Sequence, residues 1–400
     1  MEHNLQVDSK EVAMANVGLI TYHASQNQGS FLQAYATQQA ITRLGHQCTV
    51  IDFSLPMQQY AYQVWKPLRS PKDVLKNIFA LAHYRDYTGR YRNFVETQRT
   101  LLHMTAEHYS DPAQLQAFAD TFDVVVAGSD QIWNTSAWDY DDAYLLNFVG
   151  NHTKKVSYAS SMGGHILDKQ SDMTLAQHYQ ALLSDFASIA VREQDAVRYL
   201  QPLVRQQVQQ VVDPTLLLTS AEYDAIAAPR MIDEPYIFYY AIDAIDRNAA
   251  AARAVQRFAA RLGLPVYVMW TGNRSYGLKK YGFRLVDVTA DPREYISLIK
   301  HADHVLSASF HGTAFSVIYR KPFHVVRGVN PDGTLNMDNR LSSLLALAQL
   351  EARQLFADRT SDNNWLDDVD MSVIDYDTVY AHLMPEIQRS RAYLAKALEV

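Results

Sequence analysis

The sequence predicts an α/β protein built from two Rossmann-like domains that face each other across a cleft. Three observations carry this. Apolar runs of strand length alternate with stretches at helical spacing. The alternation falls into two blocks, divided near residues 216–233 where Pro229 and polar residues interrupt it. The chain has 400 residues, 48% apolar and 20% charged, enough for two cores of roughly 150 to 200 residues each.

In the first block, Val17–Tyr22 is an apolar run followed by the polar turn Ser25–Gly29 and by Phe31–Ala36 at helical spacing. That is strand, loop, helix. Cys48–Asp52, after Gly45, is the next strand, and the crossover helix makes the two strands parallel. Further strands are expected at Asp123–Ala127, Val156–Ala159, Ser188–Val191 and Val211–Asp213. The second block runs through strand Pro235–Tyr240, helix Asn248–Leu262, strand Pro265–Trp270, helix Pro292–His301 and strand His304–Ser307. Residues 371–399 form a last helix with Val379, Leu383, Ile387, Leu394 and Leu398 on one face, which either closes the second domain or crosses back onto the first. The expected division is a mobile leader 1–15, an N-terminal domain 16–225 and a C-terminal domain 226–400.

Composition narrows the function. A net charge of −7 gives no global attraction to nucleic acid. The lone Cys48 excludes an intrachain disulfide and a cysteine metal cluster, which favours a cytoplasmic location. Met1–Ala15 has no apolar core of a secretory signal, and no apolar run reaches the ~18 residues of a spanning helix. The P-loop, HExxH, GxSxG and GxGxxG patterns are all missing, so NTPase, zinc protease, hydrolase and NAD readings fall away.

Six segments, in order, resemble the polysaccharide pyruvyl transferase family: Gly18–Ala36 (GLITYHASQNQGSFLQAYA), Val126–Asn134 (VAGSDQIWN), Ser157–Gly163 (SYASSMG), Ala190–Glu193 (AVRE), Val212–Leu216 (VDPTL) and Ser309–Phe323 (SFHGTAFSVIYRKPF). The resemblance implies a glycosyltransferase-B-like fold, with the acceptor on the N-terminal domain and the donor on the C-terminal one. It further implies phosphoenolpyruvate as donor, a cell-surface or exopolysaccharide sugar or a lipid-linked oligosaccharide as acceptor, and neither metal nor cofactor. One departure stands out. Many members carry an Arg two residues before the motif histidine, where this chain has Ser309. A nucleotide-sugar glycosyltransferase of the same fold is the competing reading, and an inactive carbohydrate-binding protein the third.

Ketal formation needs an acid for the methylene carbon of the donor, a base for the sugar hydroxyls, cations for phosphate and carboxylate, and exclusion of water. His311, expected between a strand end at Ser307–Phe310 and a helix from Gly312, is the candidate acid, set beside backbone N–H groups that favour an anion. Ser309 and Gly312 share that site. The resemblance places a donor-binding arginine at Arg192; a neutralising pair with Glu193 is the structural alternative. Arg340 precedes the helix Leu341–Leu350, a poor place for a cation without an anionic partner; it is set to replace the arginine missing at Ser309, unless it merely pairs with Asp338. Arg320 and Lys321 follow the His311 helix and are expected a helix away from the cleft.

Asp130 is the candidate base, unless its carboxylate only caps a turn. Gln131 and Trp133 are expected at the acceptor, the indole face packing on a sugar ring. Ser25, Asn27, Gly29 and Gln33 form a polar loop suited to a hydroxyl-rich acceptor. His165, beyond another strand end, is a second cleft histidine. The stretch 56–95 carries seven basic against two acidic residues with aromatics interleaved, a composition that suits peripheral contact with an anionic membrane at its inner face; the alternative is a helical insertion with a solvated face.

Overall fold

The computed structural model describes residues 13–242, 248–271, 273–286, 291–358 and 365–400. Nearly all of the expected leader lies outside them. In the N-terminal half, strands β1 (Asn16–Ile20), β2 (Gln47–Val50), β3 (Val124–Ala127) and β4 (Lys154–Ser157) form a parallel sheet in the order β2-β1-β3-β4. A parallel pair, β5 (Ile189–Val191) and β6 (Val208–Gln210), continues it through bridges from Val156 to Ser188 and from Ser160 to Val191. On the other edge residues 103–109 run parallel to β2, with Val50 N donating to His103 O at 2.9 Å and Tyr109 N to Asp52 O at 2.7 Å.

The C-terminal half is a six-stranded all-parallel sheet in the order β12-β11-β10-β7-β8-β9, from β7 (Ile237–Tyr240), β8 (Val266–Val268), β9 (Arg284–Leu285), β10 (His304–Ser307), β11 (Phe323–Arg327) and β12 (Gln354–Phe356). Both halves thus reverse strand order beside their first strand, where open α/β sheets bind ligands. Helices cover the sheets: α1 (Gln28–Arg43), α2 (Pro56–Tyr62), α3 (Pro71–Ala82), α4 (Tyr84–Leu101), α5 (Met173–Leu183), α6 (Gln194–Leu200), α7 (Ser220–Asp224), α8 (Ala249–Leu262), α9 (Pro292–His301), α10 (Phe310–Ile318), α11 (Asn339–Ala348) and α12 (Tyr376–Leu398).

Capping accounts for several boundaries. Asn27 accepts from Gly29 N and Ser30 N to start α1, and Asp291 with Glu294 boxes the start of α9. The strand expected at Val211–Asp213 is not one. β6 ends at Gln210, and Asp213 instead caps the short 3₁₀ turn Pro214–Leu217 by accepting from Thr215 N. α10 starts earlier than expected because Ser309 is its cap, which puts His311 inside the first turn.

The two halves share one core. A single apolar cluster contains Phe31 and Leu32 of α1, Leu216 of the connecting turn, Ile296 of α9 and Phe315 of α10. α12 crosses back, as one of the two expectations had it: Tyr376 Oη donates to Lys321 O at 2.5 Å in the C-terminal half, and Tyr393 Oη donates to Ser157 O at 2.9 Å in the N-terminal half. Among the described residues no helix is long and apolar enough to cross a membrane.

Candidate active site

A cleft of about 410 Å³ opens between the loops that follow β1, β3 and β10. Ser25, Asn27 and Ser30 line it from the start of α1, Asp130, Gln131 and Asn134 from the loop after β3, and Ser309 and His311 from the start of α10. Tyr62, Trp138, Asp139, Asn336, Asp338 and Arg340 complete the lining.

His311 is held from three sides. A Cβ on Gly29 would lie 2.3 Å from His311 Nδ1 and 2.5 Å from its Cγ, so only glycine leaves the ring its place. Phe310 packs edge-on, with centroids 5.3 Å apart. His311 Nε2 lies 3.5 Å from Asp213 Oδ2, an ion-pair distance at which no aligned hydrogen bond forms. Asp213 is fully buried and also accepts from Arg192 Nη1 at 2.9 Å, Ser129 Oγ at 3.1 Å and Thr215 Oγ1 at 2.7 Å. Burial would raise its carboxyl, but His311 and Arg192 beside it, with Thr215, hold it well below the usual carboxylate range.

Arg192 is not at the cleft surface. Its guanidinium lies 4.1 Å from the Phe310 ring centroid, and Nε donates to Glu193 Oε1 at 2.7 Å. Burial opposes its charge; Glu193, Asp213 and Asp130 together outweigh that and keep it firmly protonated. The expected donor arginine is buried behind His311, where it holds Asp213, and the expected pair with Glu193 is also made. Arg340 does line the cleft, gripped by Asp338 with Nε donating to both carboxylate oxygens at 3.0 Å. Asp338 also caps α11 through Arg340 N.

Asp130 adopts φ 72°, a left-handed conformation that few non-glycine residues hold. Its carboxylate accepts from Ser30 Oγ at 2.5 Å and from the adjacent Gln131 N at 2.9 Å, which ties the loop after β3 to the start of α1 rather than capping the following turn. Asp139, lower on the same wall, accepts from Tyr22 Oη at 3.1 Å and Gln58 Nε2 at 2.9 Å, and burial pushes its carboxyl up.

In addition to Arg192, the residues Trp133, Gln33, His165 and Gly312 do not line the cleft. Trp133 is fully buried with Nε1 donating to Tyr144 O at 2.9 Å, so its face packs in the core. Gln33 is fully buried and spends its amide on Thr21 Oγ1, Tyr22 O and Ser30 O. The turn at Gly163, φ 84°, sends His165 outward, where its side chain is 62% exposed beside Asp168. Gly312 packs against Ser307, whose Oγ is 2.1 Å from where a Cβ would stand. Arg320 pairs with Asp377 at 3.0 Å at the far end of α10, as expected.

The residues that sequence reasoning missed are Asp213, Asp139, Trp138 and Tyr22. Trp138 is 49% exposed on the cleft wall and supplies the indole face expected of Trp133. Its signal was an aromatic side chain in the mostly polar run Thr135–Asp139, with Ala137 as its one apolar neighbour there.

The model of the family described as polysaccharide pyruvyl transferase matches residues 27–328, three quarters of the chain and both walls of the cleft. The chain belongs to the polysaccharide pyruvyl transferase family. As a family member it is a transferase acting on polysaccharide, with Asp338 and Arg340 beyond the matched stretch. Among solved structures, a candidate UDP-N-acetylglucosamine 2-epimerase from Listeria monocytogenes is 9% identical with a TM-score of 0.50, over 97% of this chain and 92% of that one. The glycosyltransferase SnogD from Streptomyces nogalater is 12% identical with a TM-score of 0.46, over 96% and 100%. The first likeness is one of fold, the glycosyltransferase-B arrangement of two Rossmann-like domains. No curated protein matches the sequence. Among the described residues no group of three or more His, Cys, Asp or Glu is placed to hold a metal ion.

Proposed function

We propose that this pyruvyl transferase moves the pyruvyl group of phosphoenolpyruvate onto two hydroxyls of one sugar in a cell-surface or exopolysaccharide precursor, forming a ketal and releasing phosphate. The observation that carries the reading is His311, set in the first turn of α10 against a buried, ionised Asp213 that Arg192 fixes in place. The Asp213 carboxylate stands 3.5 Å from Nε2 of the ring, and the positive end of α10 favours an anion beside it.

In this reading His311 gives its proton to the methylene carbon of the donor, and positive charge develops on the central carbon. One sugar hydroxyl adds there and loses its proton to Asp130 or Asp139. The bond from that carbon to the phosphate oxygen breaks and phosphate leaves. The second hydroxyl then adds, returns a proton to the His311 imidazole and closes the ring, while the first hydroxyl's proton leaves with the phosphate. Arg340 meets the donor carboxylate or phosphate by exchanging its Asp338 partner, in place of the arginine that Ser309 lacks. Trp138 and Tyr22 border the sugar. The test is incubation with phosphoenolpyruvate and a panel of glycosides, read by mass spectrometry for the pyruvyl adduct and by phosphate release. Phosphate without adduct, or transfer from a UDP-sugar instead, overturns the proposal.

A further inference from the structure

Helix α3 is amphipathic the wrong way round for a soluble protein. Its inward side carries Asp73 and Ala80, with Asn77 half-buried beside them. Asp73 is buried, accepting from Tyr60 Oη and, at 2.9 Å, from Ser70 Oγ. Asn77 bonds the backbone of Lys66 on both sides, accepting from its N at 2.7 Å and donating to its O at 2.8 Å. These bonds secure the preceding loop. The outward side is apolar: Leu75 is 66% exposed, Ile78 59% and Leu81 66%, and Leu68 of the loop is 75% exposed.

At positions 75, 78 and 81 the three side chains fall on one stripe of the helix. Exposed singly they would need no explanation, but three on one helix stripe, with Leu68 and Trp65 of the preceding loop exposed as well, are of the kind that marks an interaction surface. Arg69, Lys72 and Lys76 are exposed on the same helix and loop, Lys72 and Lys76 along one flank of the stripe, and the one acidic residue of α3, Asp73, is turned inward. A basic flank beside an apolar stripe, with a half-exposed Trp65 in the preceding loop, matches an anionic lipid surface. A second copy of the chain fits less well, because a two-fold contact would set this basic flank against itself.

We propose that α3 and its preceding loop dock on an anionic membrane, Leu68, Leu75, Ile78 and Leu81 entering the headgroup boundary while Arg69, Lys72 and Lys76 meet lipid phosphate. The helix lies in the plane of the surface, in the insertion that also supplies Tyr62 to the cleft. The occupant is the bilayer, whatever acceptor the enzyme uses.

Flotation of the full chain with phosphatidylglycerol vesicles, against pure phosphatidylcholine vesicles, tests this. The wild type is expected to float with the anionic vesicles at low salt and progressively less as salt rises. Leu75→Asp with Ile78→Asp should weaken binding by about a hundredfold, tenfold for each apolar side chain kept out of lipid. Lys72→Ala with Lys76→Ala should lower both affinity and its salt dependence. Circular dichroism and sedimentation of each variant accompany the assay, and since the altered side chains face solvent, folded monomers are expected. Absence of vesicle binding by the wild type, or full binding by the double Asp variant, overturns the proposal. So does a wild-type dimer that the double Asp variant dissolves, which would assign the patch to a second copy.

Discussion

Gly29→Ala is the sharpest probe of the active site, because it should favour the helix and harm the reaction. Gly29 stands in the first turn of α1 under ordinary backbone angles, so alanine there gains roughly 0.5 to 1 kcal/mol of helix preference. The new Cβ, however, would stand 2.3 Å from His311 Nδ1, where ordinary contact begins at 3.4 Å, so the imidazole must retreat by about 1 Å. It cannot retreat freely, since Phe310 and the Asp213 carboxylate hold it. A misplacement of that size costs on the order of a hundredfold in turnover, or about 2.7 kcal/mol. The expected variant melts within a few degrees of the wild type, or slightly above, yet forms pyruvylated product about a hundred times more slowly at saturating donor. Wild-type turnover in a folded Gly29→Ala protein would refute the idea that the His311 ring must occupy this position.

His311→Gln should keep the fold and most donor affinity while turnover falls by about 10² to 10⁴; deuterium from solvent in the product methyl group tracks the proton, and an unimpaired variant would remove His311 from the chemistry. Asp213→Asn leaves Arg192 with Glu193 alone and should cost about 3 kcal/mol near neutral pH. Because the folded carboxyl titrates below its unfolded value near 4, the stability it contributes is present above about pH 4 and is lost as pH falls further. Thermal melts below pH 5 should therefore decline more steeply for the wild type than for Asp213→Asn, and parallel curves would contradict the assignment. Trp138→Ala should raise the KM for the sugar several-fold with little change in melting, whereas Trp133→Phe should leave that KM alone and destabilise by about 1 to 3 kcal/mol through the orphaned Tyr144 carbonyl. Steady-state kinetics and melts on both variants distinguish the two indoles, and the opposite pattern would reverse their roles.

Much of the fold was legible because alternating periodicity and caps are local. Pro292–His301 is a helix as expected, and Asn248 caps the helix it was expected to begin. What escaped depended on contacts distant in sequence. Residues 103–109 hold no apolar alternation, and only the free edge of β2 gives them strand-like bonds. Asp213 sits in a quoted motif yet had no assigned role, since nothing local reveals that its carboxylate meets Arg192 and His311 from other segments. Trp133 went astray for a related reason: beside Ile132 it anchors the loop by burial, and the indole left at the cleft is five residues further along. Gly29 was placed with the acceptor loop because sequence shows a glycine's flexibility but not the ring it makes room for.

The shared core beneath the cleft also governs its width. Since α1 is embedded in both halves and α12 spans them, pulling the lobes apart would expose Phe31, Leu32, Leu216 and Phe315 to water. A jaw that hinges widely would lose that burial on every cycle. The two lobes are instead joined along a packed seam, and the cleft between them keeps its gap as long as that seam stays buried.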